Sequence, residues 1–329
     1  MKGIACQTDR HLLDDWQRDF PVTERPFAVL AEALGLGEDE VIARLSAMQG
    51  AGRISRLGAT IAPNTVSAST LAAVAAPPDQ LEDVAAVIGA QPGVNHNYQR
   101  EDTWNLWFVA TGPDRAHVDA TLARISEKTG LQVLDLRLMR PFNVDLGFKM
   151  SGPRSLNPPR AVDRSVLQDG DRDLLQVLAA GMPLTPRPYH DIGLQLGCSG
   201  ACVTERINVL QAAGVISRLG VIVRHRALGW SSNAMVVWDI PEAQIETAGS
   251  ALATLEGVTL AYERRPVPEV WPYRLYNMVH ARSRSAAEEV ISAARALPEL
   301  EGLPSKVLFS TRCFKQTGAL IARTDGKAA

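Results

Sequence analysis

The stretch Ile54-Ser55-Arg56-Leu57-Gly58 recurs, letter for letter, as Ile216-Ser217-Arg218-Leu219-Gly220, 162 residues further along the chain. At the same shift, without a gap, Asp9-Arg10-His11-Leu12-Leu13 falls on Asp171-Arg172-Asp173-Leu174-Leu175. Pro21, Thr23, Arg25 and Pro26 fall on Pro183, Thr185, Arg187 and Pro188, and Leu34-Gly35 falls on Leu196-Gly197. A register held through prolines and glycines signals duplicated structure, because shared composition alone would not keep turns in step. Beyond Gly58 the register drifts as loops differ, yet Gly93-Val94 still matches Gly257-Val258, Tyr98 matches Tyr262, Arg100 matches Arg264 and Arg140 matches Arg312.

Each half divides in two. In the second, an acidic start at Asp171 leads into Leu174, Leu175, Val177 and Leu178, and Gly181-Met182-Pro183 stops that helix. Helical patterns over Tyr189–Leu196 and Val203–Ala213 flank the turn Gly197-Cys198-Ser199-Gly200. This is a helix-turn-helix layout, and the ISRLGVIV that follows predicts a short strand or a hairpin wing. The remainder alternates strand and helix. In the first copy the pattern predicts strands near 67–75, 94–100, 104–111 and 132–139, with helices over 78–89 and 114–129. In the second it predicts strands near 233–239, 258–264, 274–280 and 306–310, with helices over 241–255 and 285–297. The β-α-β-β-α-β order is the ferredoxin-like module, whose open sheet face wants a partner, the other copy being the nearest. The expected class is therefore α+β, a tandem repeat of winged helix-turn-helix plus ferredoxin-like module. Residues 1–62 and 165–226 would form the helix-turn-helix units, 63–150 and 227–329 the ligand modules, and 151–164, rich in Pro and Ser, an extended linker.

The chain has 329 residues, 46% of them hydrophobic and 21% charged, enough for more than one core. A net charge of -2 and a pI near 6.3 argue against a surface devoted to nucleic acid. No apolar run reaches the length of a bilayer span and the start carries no apolar signal core, so the expectation is a cytoplasmic protein with no membrane partner. Four cysteines make no disulfide framework, and Cys198 and Cys202 lack a second ligand pair, so no metal site is expected.

Two segments stand apart: GVNHNYQREDTWNLWFVA at 93–110 and GVTLAYERRPVPEVWPYRLYNMVHA at 257–281. They crowd His, Tyr, Trp and Arg where a strand pair that only had to fold would carry Val and Ile. Together they predict one pocket for a large, flat ligand rich in carboxylates.

A helix-turn-helix followed by a ferredoxin-like module resembles the Lrp/AsnC family. HNYQRE…WNLWF and YERRP…WPYRLYNMVH resemble, within it, the siroheme decarboxylases, in the form where two subunits are fused. The resemblance covers nearly the whole chain. It implies removal of acetate carboxyl groups from siroheme, to 12,18-didecarboxysiroheme, by a carboxy-lyase of haem d1 or siroheme-dependent haem biosynthesis. The tetrapyrrole is then the partner, and no cofactor beyond its own iron is expected, because the macrocycle can take up the electrons. Arg100, Arg264, Arg265, Arg140 and Arg312 would grip carboxylate arms. Trp107, Trp271, Tyr273 and Tyr276 would face the ring, with Trp104 beside them. Tyr98 and Tyr262 share a strand face with the arginines two residues on, and His96 shares it too. His96 and His280 are the candidate acid-base residues. His11, His117, His190 and His225 fall in helical or wing segments and are assigned no role. Two departures are visible: Leu260 stands where the first copy has His96, and Arg274 stands where the family is expected to carry Asn.

The alternatives are a DNA-binding regulator or a passive haem or siroheme carrier. The third helices open with Gly37-Glu38-Asp39-Glu40 and Ser199-Gly200-Ala201-Cys202, which offer phosphates carboxylates or nothing. DNA is therefore not an expected partner. The two halves are expected to pair within the chain, with a further homodimer as an option.

Overall fold

A computed structural model describes residues 6–143 and 160–323, so most of the predicted linker lies outside the described residues. The first helical unit comprises α1 (Gln7–Asp14), α2 (Pro26–Leu34), α3 (Glu38–Gly50) and β1 (Ile54–Ile61). The first module follows as β2 (Ala68–Val74), α4 (Leu81–Gly89), β3 (Val94–Arg100), β4 (Leu106–Gly112), α5 (Arg115–Thr129), β5 (Val133–Leu136) and β6 (Leu138–Asn143). The second copy repeats the order with α6 (Asp171–Ala180), α7 (Pro188–Leu196), α8 (Gly200–Ala212) and β7 (Ile216–Val223). Its module is β8 (Ser232–Trp238), α9 (Ile245–Thr254), β9 (Val258–Arg264), β10 (Leu275–Ala281), α10 (Arg284–Arg295) and β11 (Ser305–Gln316). The duplication is visible in the caps: α2 and α7 both open with proline in the first turn and both end on a left-handed glycine, Gly35 at φ 65° and Gly197 at φ 72°.

The two ISRLG strands pair with each other. β1 and β7 run antiparallel with Gly58 opposite Gly220, so the strand after each helix-turn-helix takes its partner from the other copy rather than from a hairpin of its own. Glycine is required there by close approach. A Cβ on Gly58 would stand 2.3 Å from the Leu178 carbonyl oxygen, and one on Gly220 would stand 2.4 Å from that of Trp16. Each strand thus lies on the end of the other copy's first helical segment, tied by Met182 N–H to Leu57 O and Val221 N–H to Trp16 O, both 2.7 Å. Leu12, Leu45, Leu57, Leu175, Ile207 and Leu219 belong to one core shared by both units.

The modules merge in the same way. Their strands form one sheet in the order β5-β2-β4-β3-β11-β8-β10-β9-β6. Its end strands, β5 and β6, are separated only by Arg137, so the sheet turns back on itself as a two-layered sandwich. The helices cover the outer faces, over cores that include Phe108, Val118 and Ile125 in one copy and Val236, Trp238 and Ile291 in the other. The inner faces meet in a core of Ala73, Trp107, Leu134 and Leu136 from the first copy with Met235, Val237, Trp271, Tyr276 and Leu308 from the second. All seven residues of β8 are buried because both faces of that strand are covered, which explains its unbroken apolar reading.

Strands cross between copies at the seams. β6 leaves the first copy to pair with β9, and β11 pairs with β8 over 305–309 and with β3 over 310–316. The sequence pattern ends the last strand at Ser310, but the polar continuation STRCFKQ stays extended because β3 offers it a ladder. Arg140 and Arg312 sit on these crossing segments. Arg140 pairs with Glu246 on α9 and with Glu263 at 3.2 Å, and Arg312 pairs with Glu82 on α4. Expected as carboxylate grips, both are half-exposed here and paired with glutamates across the seam.

Gly58→Ala and Gly220→Ala are each expected to lower the unfolding free energy by about 1–3 kcal/mol through overpacking. Gly89→Ala, which meets nothing within 4 Å, is the control expected to leave the urea midpoint unchanged or raised.

Candidate active site

Alternation along β3 sends His96, Tyr98 and Arg100 to the inner face, while Asn97 points outward and donates to Ala85 O at 3.1 Å. The His96 and Tyr98 rings stack at 6.1 Å with 13° between planes, and the Arg100 guanidinium lies 5.8 Å from the Tyr98 centroid. Arg100 is 7% exposed and its Nη1 donates to Leu308 O at 3.0 Å and to Asn233 Oδ1 at 3.2 Å, both in the second copy. Asn233 lies opposite His280 in the β8–β10 register, and its Nδ2 is 2.6 Å from His280 Nε2. His280 Nδ1 lies 2.7 Å from Thr259 Oγ1. The ring of His225, in a short turn after β7, meets His280 edge-on at 4.8 Å. The expected His96, Tyr98, Arg100 and His280 are therefore gathered into one cluster at the seam.

His225, assigned no role from the sequence, is buried against His280 and close enough to His96 to bear on its charge. The signal was present but one-sided. HRALG follows ISRLGVIVR in the second copy, where the first continues PNTVS, and a reading built on what the copies share passes over what only one has. Arg226 was missed for the same reason, whereas Arg56 stands in the shared ISRLG repeat and was passed over because that strand reads as wing.

The cluster is cationic, with Arg100, His225 and His280 buried and His96, Tyr98, Arg56 and Arg226 half-buried. Burial, then Arg56 and then His225 bring the His96 pKa down from 6.5 to about 4, and burial with Arg226 does the same for His225. Burial raises Tyr98 above the usual phenol range and brings Arg100 and Arg56 down to about 10. Arginines, histidines, a tyrosine and the Cys313 thiol account for the charges felt by His96, Tyr98, Arg100 and His225. The Nε–H groups of Arg56, Arg100 and Arg226 are buried and have no hydrogen-bond acceptor. A buried donor left unmade costs on the order of 1–3 kcal/mol, so three around one cluster mark a place built for anionic oxygen.

The remaining expected residues lie elsewhere. Trp107, Trp271 and Tyr276 belong to the inner core, with Trp107 and Trp271 at 5.2 Å and Trp271 Nε1 donating to Tyr276 Oη at 2.8 Å. All three are fully buried, packed on one another and on aliphatic side chains between the two sheets, with Arg264 lying over the Tyr276 ring and Lys306 over that of Trp271. Tyr273 is half-buried against Trp271, at 4.9 Å. Trp104 packs on the same core. Tyr262 and Arg264 repeat the Tyr98–Arg100 arrangement on β9, four strands away around the sandwich in one direction and five in the other. There Arg264 Nη1 donates to Leu136 O at 3.0 Å. Leu260 stands in place of His96, facing Met278. Arg265 is exposed and lies 3.4 Å from Asp135. Arg264, Arg265 and Arg274 line a cleft of about 480 Å³ with Met139, Pro266 and Val267, separate from the histidine cluster. The two aromatic segments thus contribute to the cluster in unequal shares: the first brings His96, Tyr98 and Arg100 of β3, the second His280 at the end of β10 and Thr259 at the start of β9. Among the described residues, no group of three or more His, Cys, Asp or Glu is placed to hold a metal ion, and no helix is long and apolar enough to cross a membrane.

Comparison with known proteins agrees with this architecture. Residues 66–143 and 227–315 match the family model of the AsnC-like ligand binding domain, and residues 9–54 and 171–216 that of the siroheme decarboxylase NirDL-like HTH domain. The siroheme decarboxylase NirDL subunit of Paracoccus denitrificans is 53% identical over 315 residues, 95% of this chain and 97% of that one. The chain belongs to the siroheme decarboxylase family. Within that family, the NirD subunit of Stutzerimonas stutzeri is 49% identical over 144 residues, spanning 95% of its own length but 44% of this chain, as a fusion of two subunit-sized halves requires. A crystal structure of a siroheme decarboxylase NirDL superposes with a TM-score of 0.68 at 26% identity, covering 95% of this chain and 94% of that one.

The depressed histidines make stability depend on pH. The unfolded chain binds their protons near 6.5 and the folded chain only near 4, so their contribution is complete above 6.5 and declines as pH falls towards 4. Urea unfolding at pH 7.5 and pH 5 should show this loss, and His225→Gln should flatten the slope.

Proposed function

We propose that this chain is a carboxy-lyase that removes acetate carboxyl groups from siroheme at the His96–His225–His280 cluster. The observation that carries the site is the set of buried, acceptorless Nε–H groups on Arg56, Arg100 and Arg226. Each matches a carboxylate oxygen, and a substrate with many acetate and propionate arms supplies several. Family membership supports the reaction, and the cluster's charge supports the class of substrate.

In this mechanism the guanidiniums hold arms that do not react and orient the one that does. The bond between the carboxylate and its methylene carbon breaks, CO2 departs, and the electron pair passes into the conjugated macrocycle. The methylene carbon then takes one proton and becomes a methyl group. No separate cofactor is required, because the macrocycle is the electron sink. His96 supplies the proton. Its low pKa in the empty cluster comes first from burial and next from Arg56. A substrate carboxylate that neutralises Arg56 removes that repulsion and raises His96 towards a pKa at which it can carry a proton. Water exclusion follows from the seam itself, which buries Arg100 and His280.

Anaerobic incubation with siroheme, followed by mass spectrometry, should show stepwise loss of CO2. His96→Gln is expected to slow that loss by about 100-fold or more, the usual contribution of a positioned acid. Arg226→Met should chiefly raise KM. Siroheme that binds with all its acetates intact would reduce the protein to a carrier, and native turnover in His96→Gln would remove His96 as the donor.

A further inference from the structure

We infer that Asn233 is a positioning residue that fixes His280 in the Nδ1–H tautomer, so that His280 Nε2 is an acceptor and not a source of protons. The argument is one of hydrogen-bond direction. A guanidinium has donors only, so the Asn233 atom 3.2 Å from Arg100 Nη1 must be the amide oxygen. The amide nitrogen is then the atom 2.6 Å from His280 Nε2, and since it can only donate, Nε2 must present its lone pair. The ring proton is left on Nδ1, where it meets Thr259 Oγ1 at 2.7 Å. Thr259 passes its own hydroxyl hydrogen to Met278 O at 3.0 Å. From guanidinium to backbone carbonyl, every junction sets one donor against one acceptor. The chain crosses from β3 of the first copy to β8, β10 and β9 of the second.

Among the described residues, no local rearrangement lets Nε2 carry a proton. Adding one sets N–H against the Asn233 amide N–H, and turning the amide over sets its NH2 against Arg100. Either leaves two donors face to face in a buried place, since Arg100, Asn233 and His280 are 7%, 5% and 4% exposed. Among the described residues, the groups facing His280 are Asn233 from β8, Thr259 from β9 and His225 from the turn after β7, with Arg100 of β3 acting through Asn233. In the first copy Thr111 and Ser69 occupy the positions of His280 and Asn233 in the matching β4–β2 register, so the device exists once per chain. The inference rests on the proposed function only in its catalytic consequence, that the two histidines have different tasks: His96 gives the proton and His280 holds the seam in register.

The test is the protonation state itself, read by long-range 15N–1H NMR on the full chain, with His280→Gln to assign the signal. Wild type should show a neutral Nδ1–H ring for His280 at pH 7. Asn233→Asp replaces the donor with an acceptor, so His280 should gain a proton on Nε2 and titrate at least about one unit above the ordinary 6.5. A wild-type ring carrying its proton on Nε2, or on both nitrogens at pH 7, would overturn the inference, and that measurement stands even if the variant fails to fold. A folded Asn233→Asp protein whose His280 titrates as in wild type would overturn it too. Absence of CO2 release from siroheme by wild type, with the NMR result as expected, would sink the proposed reaction and leave the tautomer assignment intact.

Discussion

The passage of β11 from one copy's sheet to the other's is the constraint on which everything else depends. Over five residues the strand completes its own module against β8, and over the rest it adds a ladder to β3. That continuation brings the first module's inner face against the second's and closes the core of Trp107, Trp271, Tyr276 and Leu308. It also presents the Leu308 carbonyl to Arg100, so the same crossing that joins the sheets anchors the guanidinium beside the histidines. Neither half could form this site alone: β3 supplies His96, Tyr98 and Arg100, and the second copy supplies Asn233, His280, His225 and Arg226.

Much of this fold was legible because its signals repeat. The ISRLG match, the paired Pro and Gly caps of α2 and α7, and the β-α-β-β-α-β order are local patterns seen twice, and β3 and β9 lie where alternation put them. What stayed hidden depends on the partner surface. The polar segment Thr311–Gln316 has no apolar stripe to announce a strand and is one only because β3 lies beside it. Trp107 and Trp271 read as ring-stacking residues because their composition is the same in a pocket and in a core; only the facing sheet decides between the two. His225 was lost because the comparison of copies rewards agreement, whereas the site is made of disagreement.

That disagreement has an energetic logic. The backbone plan at the two seams is common: Arg100 and Arg264 each cross to a leucine carbonyl and each lie over a tyrosine ring. At the Arg264 seam Leu260 stands in place of a histidine and Asp135 lies among Arg115, Arg137 and Arg265, and one buried guanidinium N–H, that of Arg264 Nε, is left without an acceptor. At the Arg100 seam three guanidiniums keep buried donors without acceptors, and two histidines are held neutral by burial. Such an arrangement destabilises the empty protein and is tolerable because the large joint cores elsewhere carry the fold. Duplication supplies the means. One seam can keep a single unsatisfied guanidinium donor while the other gathers three beside its histidines, and because β11 and β6 tie the two together, the more strained seam cannot relax by separating. The asymmetry between His96 and Leu260 is thus the local sign of a division of labour, in which the copy with leucine at this position holds the frame against which the other can do chemistry.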